Sequence, residues 1–243
     1  MNKLYVVGIG PGDYEQMTMR AVKVLNSCEV IVGYTVYVEL LKEHFAGKEF
    51  LTTPMKKEVE RCRLAFEEAK KGRRVAIICS GDAGVYGLAG LMLEVGVAYP
   101  EITTEIIPGV TAATGGAAVL GAPLIHDVAL ISLSDLLTPW EKIKKRLLAA
   151  AAADFVICLY NPSSKKRHDY LQKACTLMLR HKTPETVCGV VLNIGRTGEQ
   201  MDIVSLKELR DMPVDMFTTV FIGNSETKEI AGKMVTPRGY VHG

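Results

Sequence analysis

Three times in the first half of the chain a short apolar run stops in a glycine-rich turn, and this pattern limits the fold more than any other feature. Residues 4–7 run into Gly8-Ile9-Gly10-Pro11-Gly12-Asp13. Residues 75–79 run into Ser80-Gly81-Asp82-Ala83-Gly84-Val85-Tyr86-Gly87. Residues 103–107 run into Pro108-Gly109-Val110-Thr111-Ala112. Short, continuous apolar runs bounded by turns read as strands buried on both faces, the kind found in parallel sheets with helices on either side. Ligands collect beyond the carboxyl ends of strands in such sheets. The three turns therefore form one candidate rim.

Helical periodicity fills the intervals. The spacing predicts helices over 17–25, opened by Thr18, over 35–45, stopped by Gly47, and over 57–71, where Val59, Cys62, Phe66 and Ala69 share a face before Gly72. Another helix is predicted over 85–93, and a small-residue helix over 111–120 is closed by Gly121 and Pro123. A strand is read at 29–32. The alternation then restarts. Strands are read at 128–133, 155–159, 187–194, 200–204 and 217–222, with Gly195-Arg196-Thr197-Gly198 as a hairpin turn. Helices are expected over 167–180 and from Thr138, where Thr138, Pro139 and Glu141 suggest a cap, a first-turn proline and a capping box. Together these predict an α/β protein of two α/β domains, 1–122 and 123–243, the second with a mixed sheet.

Composition narrows the function. With 243 residues, 48% of them apolar, and a formal net charge of +2, the chain carries no electrostatic footprint for nucleic acid. The longest apolar stretch, 147–160, contains Asp154 and is too short to span a bilayer. The first apolar run stops at Gly8, too short for a signal core. A cytoplasmic protein with no membrane partner is expected. Cys28, Cys62, Cys79, Cys158, Cys175 and Cys188 form no CxxC pair, and most lie in apolar runs, so they read as buried small hydrophobes. His44, His126, His168, His181 and His242 lack ligand spacing, and no metal is expected.

The first loop fails as a dinucleotide fingerprint, because Asp13 stands where a third glycine is needed, and it lacks the Lys-Ser/Thr of a Walker loop. Pro11 has no N–H and Asp13 adds negative charge, both unfavourable for a pyrophosphate. In the second loop Asp82 suits either a helix cap or a neighbour for a cationic ligand. In the third, Thr111 suits either a cap or a contact to a carboxylate or hydroxyl. None of the loops offers a Cys-His pair, a Ser-His-Asp order or paired catalytic carboxylates. That absence fits a reaction whose cofactor supplies the driving force.

These three loops, in this order and spacing, resemble the N-terminal signatures of the tetrapyrrole methylase family. His126-Asp127, the run from Ser132 through Leu133-Ser134-Asp135-Leu136-Leu137-Thr138-Pro139 to Trp140, Leu159-Tyr160-Asn161-Pro162, and Met234-Val235-Thr236-Pro237-Arg238-Gly239-Tyr240 look like its precorrin-3B / cobalt-precorrin-3 C17-methyltransferase subgroup. Ala83 stands where the family at large often has proline. The resemblance implies two α/β domains with S-adenosylmethionine in the cleft between them, S-adenosylhomocysteine as product, and a homodimer. It also implies methylation of C17 of a tetrapyrrole with ring contraction in cobalamin biosynthesis.

The cofactor contacts it implies are Pro11, Gly81, Asp82, Ala83, Val85, Tyr86, Thr111, Ala112, Leu159, Tyr160, Asn193, Thr236 and Pro237. A substrate rich in carboxylates points to Gly10, Arg167, Arg196 and Arg238, with Lys165 and Lys166 as further cations. Candidates for proton handling are Asp13, Tyr86, His126, Asp127, Ser132 and Asp135. The rival readings are a methylase of the same fold acting at another ring carbon, a diphthamide-type methylase of a protein histidine, an NAD-type dehydrogenase, and a non-catalytic pigment carrier.

Overall fold

The structure, a computed structural model, describes residues 2–164 and 167–241. The chain forms two compact units, 1–112 and 113–243.

The first unit is a parallel sheet with helices on both faces. Its strands are β1 (Asn2–Gly8), β2 (Val30–Tyr34), β3 (Glu49–Thr53), β4 (Val75–Cys79) and β5 (Ile102–Ile107), in the order β3-β2-β4-β1-β5. All four pairings are parallel. Helices α1 (Met19–Ser27), α2 (Thr35–Glu39), α3 (Glu58–Lys70) and α4 (Ala89–Gly96) cover it. Successive strand residues point to opposite faces, so Val6 and Ile77 join α3 and α4 in one core while Val7 and Ile78 join α1 and α2 in the other. This two-sided burial is why these strands read as unbroken apolar runs. The three strands that end in glycine-rich turns, β4, β1 and β5, are adjacent.

The second unit begins with α5 (Ala112–Leu120), which spans the division between the units, and the short β6 (Gly121–Ala122). Next come β7 (Val128–Ser132), α6 (Trp140–Ala152), β8 (Val156–Tyr160), α7 (Tyr170–Met178), β9 (Val187–Leu192), β10 (Gln200–Ser205), α8 (Leu206–Leu209) and β11 (Thr218–Ile222). The last strands are β12 (Lys228–Ile230) and β13 (Lys233–Val235). Its main sheet, β10-β9-β11-β8-β7, is mixed: β7 and β8 run parallel and the other neighbours antiparallel. A smaller sheet, β12-β13-β6, pairs β13 parallel with β6. One face of the main sheet packs on α6, α7 and α8 through Leu159, Leu147, Leu171 and Leu209.

Several expectations are corrected here. The compact units divide at 112/113, one residue into α5, where the sequence suggested 122/123. A Cβ on Gly116 would meet Ile194 and Phe221 at 2.9 Å, and one on Gly189 would meet Leu120 at 2.5 Å, so α5 is bedded on the second unit's sheet. The helix expected at 85–93 starts only at Ala89. Tyr86 is left-handed (φ 55°), and the Ala89 N–H bonds to the Ala83 carbonyl at 3.0 Å, so 83–88 is a closed loop. Thr138 does not cap α6. The helix begins at Trp140 with Pro139 as its cap residue, and no side-chain cap bond forms. Val59 is 44% exposed, off the buried stripe of α3. The helices expected over 35–45 and 167–180 shrink to α2 and α7. Strands β3, β6, β12 and β13 carry no apolar run long enough to announce them.

Candidate active site

The first unit's rim is built from main chain. Gly10 and Gly81 exchange two hydrogen bonds, Gly10 N–H to Gly81 O at 3.1 Å and Gly81 N–H to Gly10 O at 2.7 Å. Loops one and two are thereby sewn together. Asp82 ties in loop three. Its Oδ1 accepts from Gly84 N–H at 2.7 Å and Val85 N–H at 3.1 Å, and its Oδ2 accepts from Gly109 N–H at 2.9 Å. The loops meet so closely that side chains are shut out. A Cβ on Gly109 would lie 2.2 Å from Gly81 O, and one on Gly8 would lie 2.7 Å from Gly109 N. Gly81 itself needs a left-handed conformation (φ 69°), which glycine adopts without steric cost.

Asp13 and Asp82 are the only fully charged side chains in these three loops, so the rim is neutral to acidic. Such a surface suits a sulfonium cation and disfavours a pyrophosphate. Pro11 and Gly10 are buried, and Asp13 is exposed at the start of a short 3-10 turn without capping it. Ala83 is completely buried in the core, so that position can offer a ligand only its backbone. Tyr86 is 54% exposed, and Val85, Thr111 and Ala112 are half-buried. The Cys79 thiol, at the end of β4, is pushed up to about 11 by burial and is no nucleophile at neutral pH.

In the second unit the structure gathers three predicted residues at the carboxyl ends of the parallel pair β7 and β8. Ser132 Oγ accepts from Ser134 N–H at 3.2 Å and from Asn161 Nδ2 at 3.1 Å. Asp135 Oδ2 accepts the Tyr170 hydroxyl at 2.7 Å, which raises the Tyr170 pKa above its ordinary value, and Oδ1 lies 3.6 Å from Arg167 Nε. Arg167 Nη1 donates to Leu133 O at 3.2 Å. Sequence reasoning missed Asn161 and Tyr170 as members. Asn161 had a signal, since asparagine tolerates the left-handed φ of 53° found there. Tyr170 sits in a helical pattern and had none.

The other second-unit candidates lie outside this cluster. Leu159 is fully buried in the core. The Tyr160 hydroxyl accepts from Ala113 N–H at 2.9 Å, in the first turn of α5. Thr236 is fully buried, donating to Pro123 O at 2.7 Å and meeting Thr227 Oγ1 at 2.8 Å. His126 Nε2 lies 2.9 Å from Pro237 O. A carbonyl only accepts, so Nε2 is the donor in this contact. Asp127 is exposed. Asn193 is left-handed (φ 52°), and Arg196 lies over the Phe217 ring at 5.8 Å. Arg238 is exposed, with Nη1 3.5 Å from Ile125 O. Lys165, Lys166 and His242 lie outside the described residues. Among the described residues no three His, Cys, Asp or Glu side chains cluster as metal ligands, and no helix is long and apolar enough to cross a membrane.

Known proteins supply an independent line. Residues 3–210 match the family described as Tetrapyrrole (Corrin/Porphyrin) Methylases. The chain is 47% identical over 238 residues to the probable cobalt-factor III C(17)-methyltransferase of Salmonella typhimurium, covering 98% of this chain and 99% of that one. A crystal structure of the methyltransferase CobJ superposes with a TM-score of 0.90 at 33% identity, over 98% of this chain and 100% of that one. Uroporphyrin-III C-methyl transferase from Thermus thermophilus, complexed with S-adenyl homocysteine, has the same fold. Its TM-score is 0.70 at 20% identity, over 91% of this chain and 92% of that one.

Proposed function

The chain belongs to the tetrapyrrole methylase family, and from that premise we propose that it methylates C17 of a cobalt-containing precorrin-3-type tetrapyrrole, with contraction of the ring, in cobalamin biosynthesis. The observation that carries this reading is likeness over the whole length to a relative named for C17 methylation of cobalt-factor III. Cobalt belongs to the substrate in this reading, not to the enzyme.

S-adenosylmethionine, when bound, supplies a methyl group on a sulfonium, a good leaving group. The fit to this chain rests on the rim's chemistry: main-chain donors and acceptors in close-packed glycine loops, no cationic side chain, and Asp82 already committed to three N–H groups. We assign cofactor contact to the backbone around Pro11, Gly81, Ala83 and Val85, and to Tyr86, Thr111 and Ala112. Tyr160, Asn193 and Pro237, with the backbone of Leu159 and Thr236, are assigned on family likeness. What remains for the protein is placement and exclusion of water. Gly10, Arg167, Arg196 and Arg238 are proposed to meet the substrate. Asp13, Tyr86, His126, Asp127 and Ser132 are the groups to test for proton movement. A cytoplasmic homodimer is the expected form.

The test is anaerobic turnover with cobalt-factor III and with its metal-free counterpart, the product located by NMR. Methylation at C17 of the cobalt form supports the reading, and methylation at another carbon overturns it. Calorimetric titration with S-adenosylhomocysteine and with NADH separates a methylase from a dehydrogenase.

A further inference from the structure

Arg167 is largely buried, although it stands in a loop between β8 and α7. Only 12% of its side chain is exposed. Nη1 is fixed on the Leu133 carbonyl at 3.2 Å, one residue beyond β7, and Nε faces Asp135 at 3.6 Å. Asp135 is in turn oriented by the Tyr170 hydroxyl at 2.7 Å, and the Tyr170 ring rests against Trp140 with centroids 4.5 Å apart. Among the described residues Nη2 meets no acceptor. A guanidinium has five N–H donors in a rigid fork, matched to carboxylate geometry. Nη1 is hydrogen-bonded and Nε is ion-paired, which leaves Nη2 as the edge with no partner among the described residues. At 3.6 Å, Asp135 lies just beyond hydrogen-bond range, and Tyr170 already donates to it, so it orients Arg167 without saturating it.

The setting supplies the second part of the argument. The cluster stands beyond the carboxyl ends of the parallel strands β7 and β8, the position where open sheets hold ligands. The same loop that carries Asp135 presents Leu136 at 66% and Leu137 at 97% exposure. A fixed cation edge beside two outward leucines matches a flat apolar macrocycle rimmed by acid side chains.

Building on the reading above, we infer that Arg167 anchors one peripheral carboxylate of the tetrapyrrole through its Nη2 edge, and that Asp135 and Tyr170 are positioning residues that preset it. Asp135 on this account is no general base. Both its oxygens face donors from its own unit, and its contribution is to binding rather than to the chemical step.

The experiment crosses variants with substrates. Tetrapyrrole binding is followed by the pigment's absorbance, using the free acid and a set of derivatives in which one side-chain carboxylate at a time is methyl-esterified. The wild-type protein is expected to lose about ten- to hundredfold in affinity for one of the esters, the loss of a single charged hydrogen-bonded contact. Arg167→Gln is expected to bind the acid that much more weakly and to treat acid and ester alike within about twofold. Asp135→Asn is expected to raise KM for the acid with kcat little changed, and Tyr170→Phe to act in the same direction more weakly. S-adenosylhomocysteine affinity should be unchanged in all three, which also reports that they are folded. If Arg167→Gln does not fold, Asp135→Asn carries the same cross. Retention of the acid–ester difference in the variants, or no such difference in the wild type, overturns the assignment, as does a fall in kcat at constant KM for Asp135→Asn. Wild-type protein that binds S-adenosylhomocysteine but no tetrapyrrole overturns the functional reading itself.

Discussion

Asp82 commits its carboxylate to three backbone N–H groups drawn from two loops, and the effect of replacing it follows from where those donors lie. Asparagine at this position keeps one oxygen for Gly84 and Val85 but turns an amide N–H₂ toward the Gly109 N–H, a donor against a donor. Asp82→Asn should therefore cost about 1–3 kcal/mol in stability. It should also weaken S-adenosylhomocysteine binding about tenfold by loosening the rim. Calorimetry decides the second point, and unchanged affinity removes Asp82 from the site's support. Asp154 makes a different prediction. Burial alone would raise its pKa, but the Ser225 hydroxyl at 2.6 Å, the Ser225 N–H and the Lys182 ammonium at 3.2 Å outweigh that and hold it below its ordinary value. A carboxylate with a lowered folded-state pKa stabilises the protein above its unfolded pKa, near 4, and that stability is lost as pH falls through the folded value. Asp154→Asn should cost about 1 kcal/mol at pH 7, a modest figure because the Asp154 side chain is 45% exposed. Denaturant titrations should show that gap holding down to about pH 5 and closing below about pH 4. The sequence marked Asp82 as important but left open whether it caps or binds. The answer depends on Gly109, which is distant in the chain.

At the scale of elements, the strands with glycine-rich ends were legible because burial on both faces writes an unbroken apolar run. Their adjacency as β4-β1-β5 was not, since strand order is set by crossovers that leave no mark on local periodicity. Of the missed strands, β6, β12 and β13 are two or three residues long, β12 is wholly exposed, and β3 is five residues of mixed polarity. Thr138 misled through composition: the motif of a capping box is present, but the chain bends at Pro139, one residue later. Thr138→Ala should consequently shift stability by less than about 0.5 kcal/mol, against about 1 kcal/mol for a working cap. Gly109→Ala should do far more. Its Cβ would sit 2.2 Å from a backbone carbonyl that cannot rotate away, so a loss of about 3 kcal/mol or more is expected in urea titration. A near-neutral result there would mean the loops are not packed as described. The cluster around Arg167 was half legible. Ser132, Asp135 and Arg167 could be named, but Tyr170 completes the set from the first turn of α7 through a contact that only packing creates.

For the molecule as a whole, all six cysteines are free and buried, and burial raises every one of their pKa values, Cys28 and Cys62 to about 11. The thiolate is the reactive form. Native protein at pH 8 should thus react negligibly with a thiol reagent, and all six groups should titrate once denaturant unfolds both units. A fast-reacting thiol in the native state would contradict the packing of at least one core. The smaller sheet sets a condition of another kind. Met234 lies in register with Gly121 and Val235 with Ala122, and Thr236 is locked onto Pro123. A nascent chain leaving the ribosome can close its first unit while synthesis continues, but the stretch after α5 must wait for a partner made more than a hundred residues later. The second unit therefore cannot complete its smaller sheet until Val235 and Thr236 have left the ribosome, well after the first unit is free to fold.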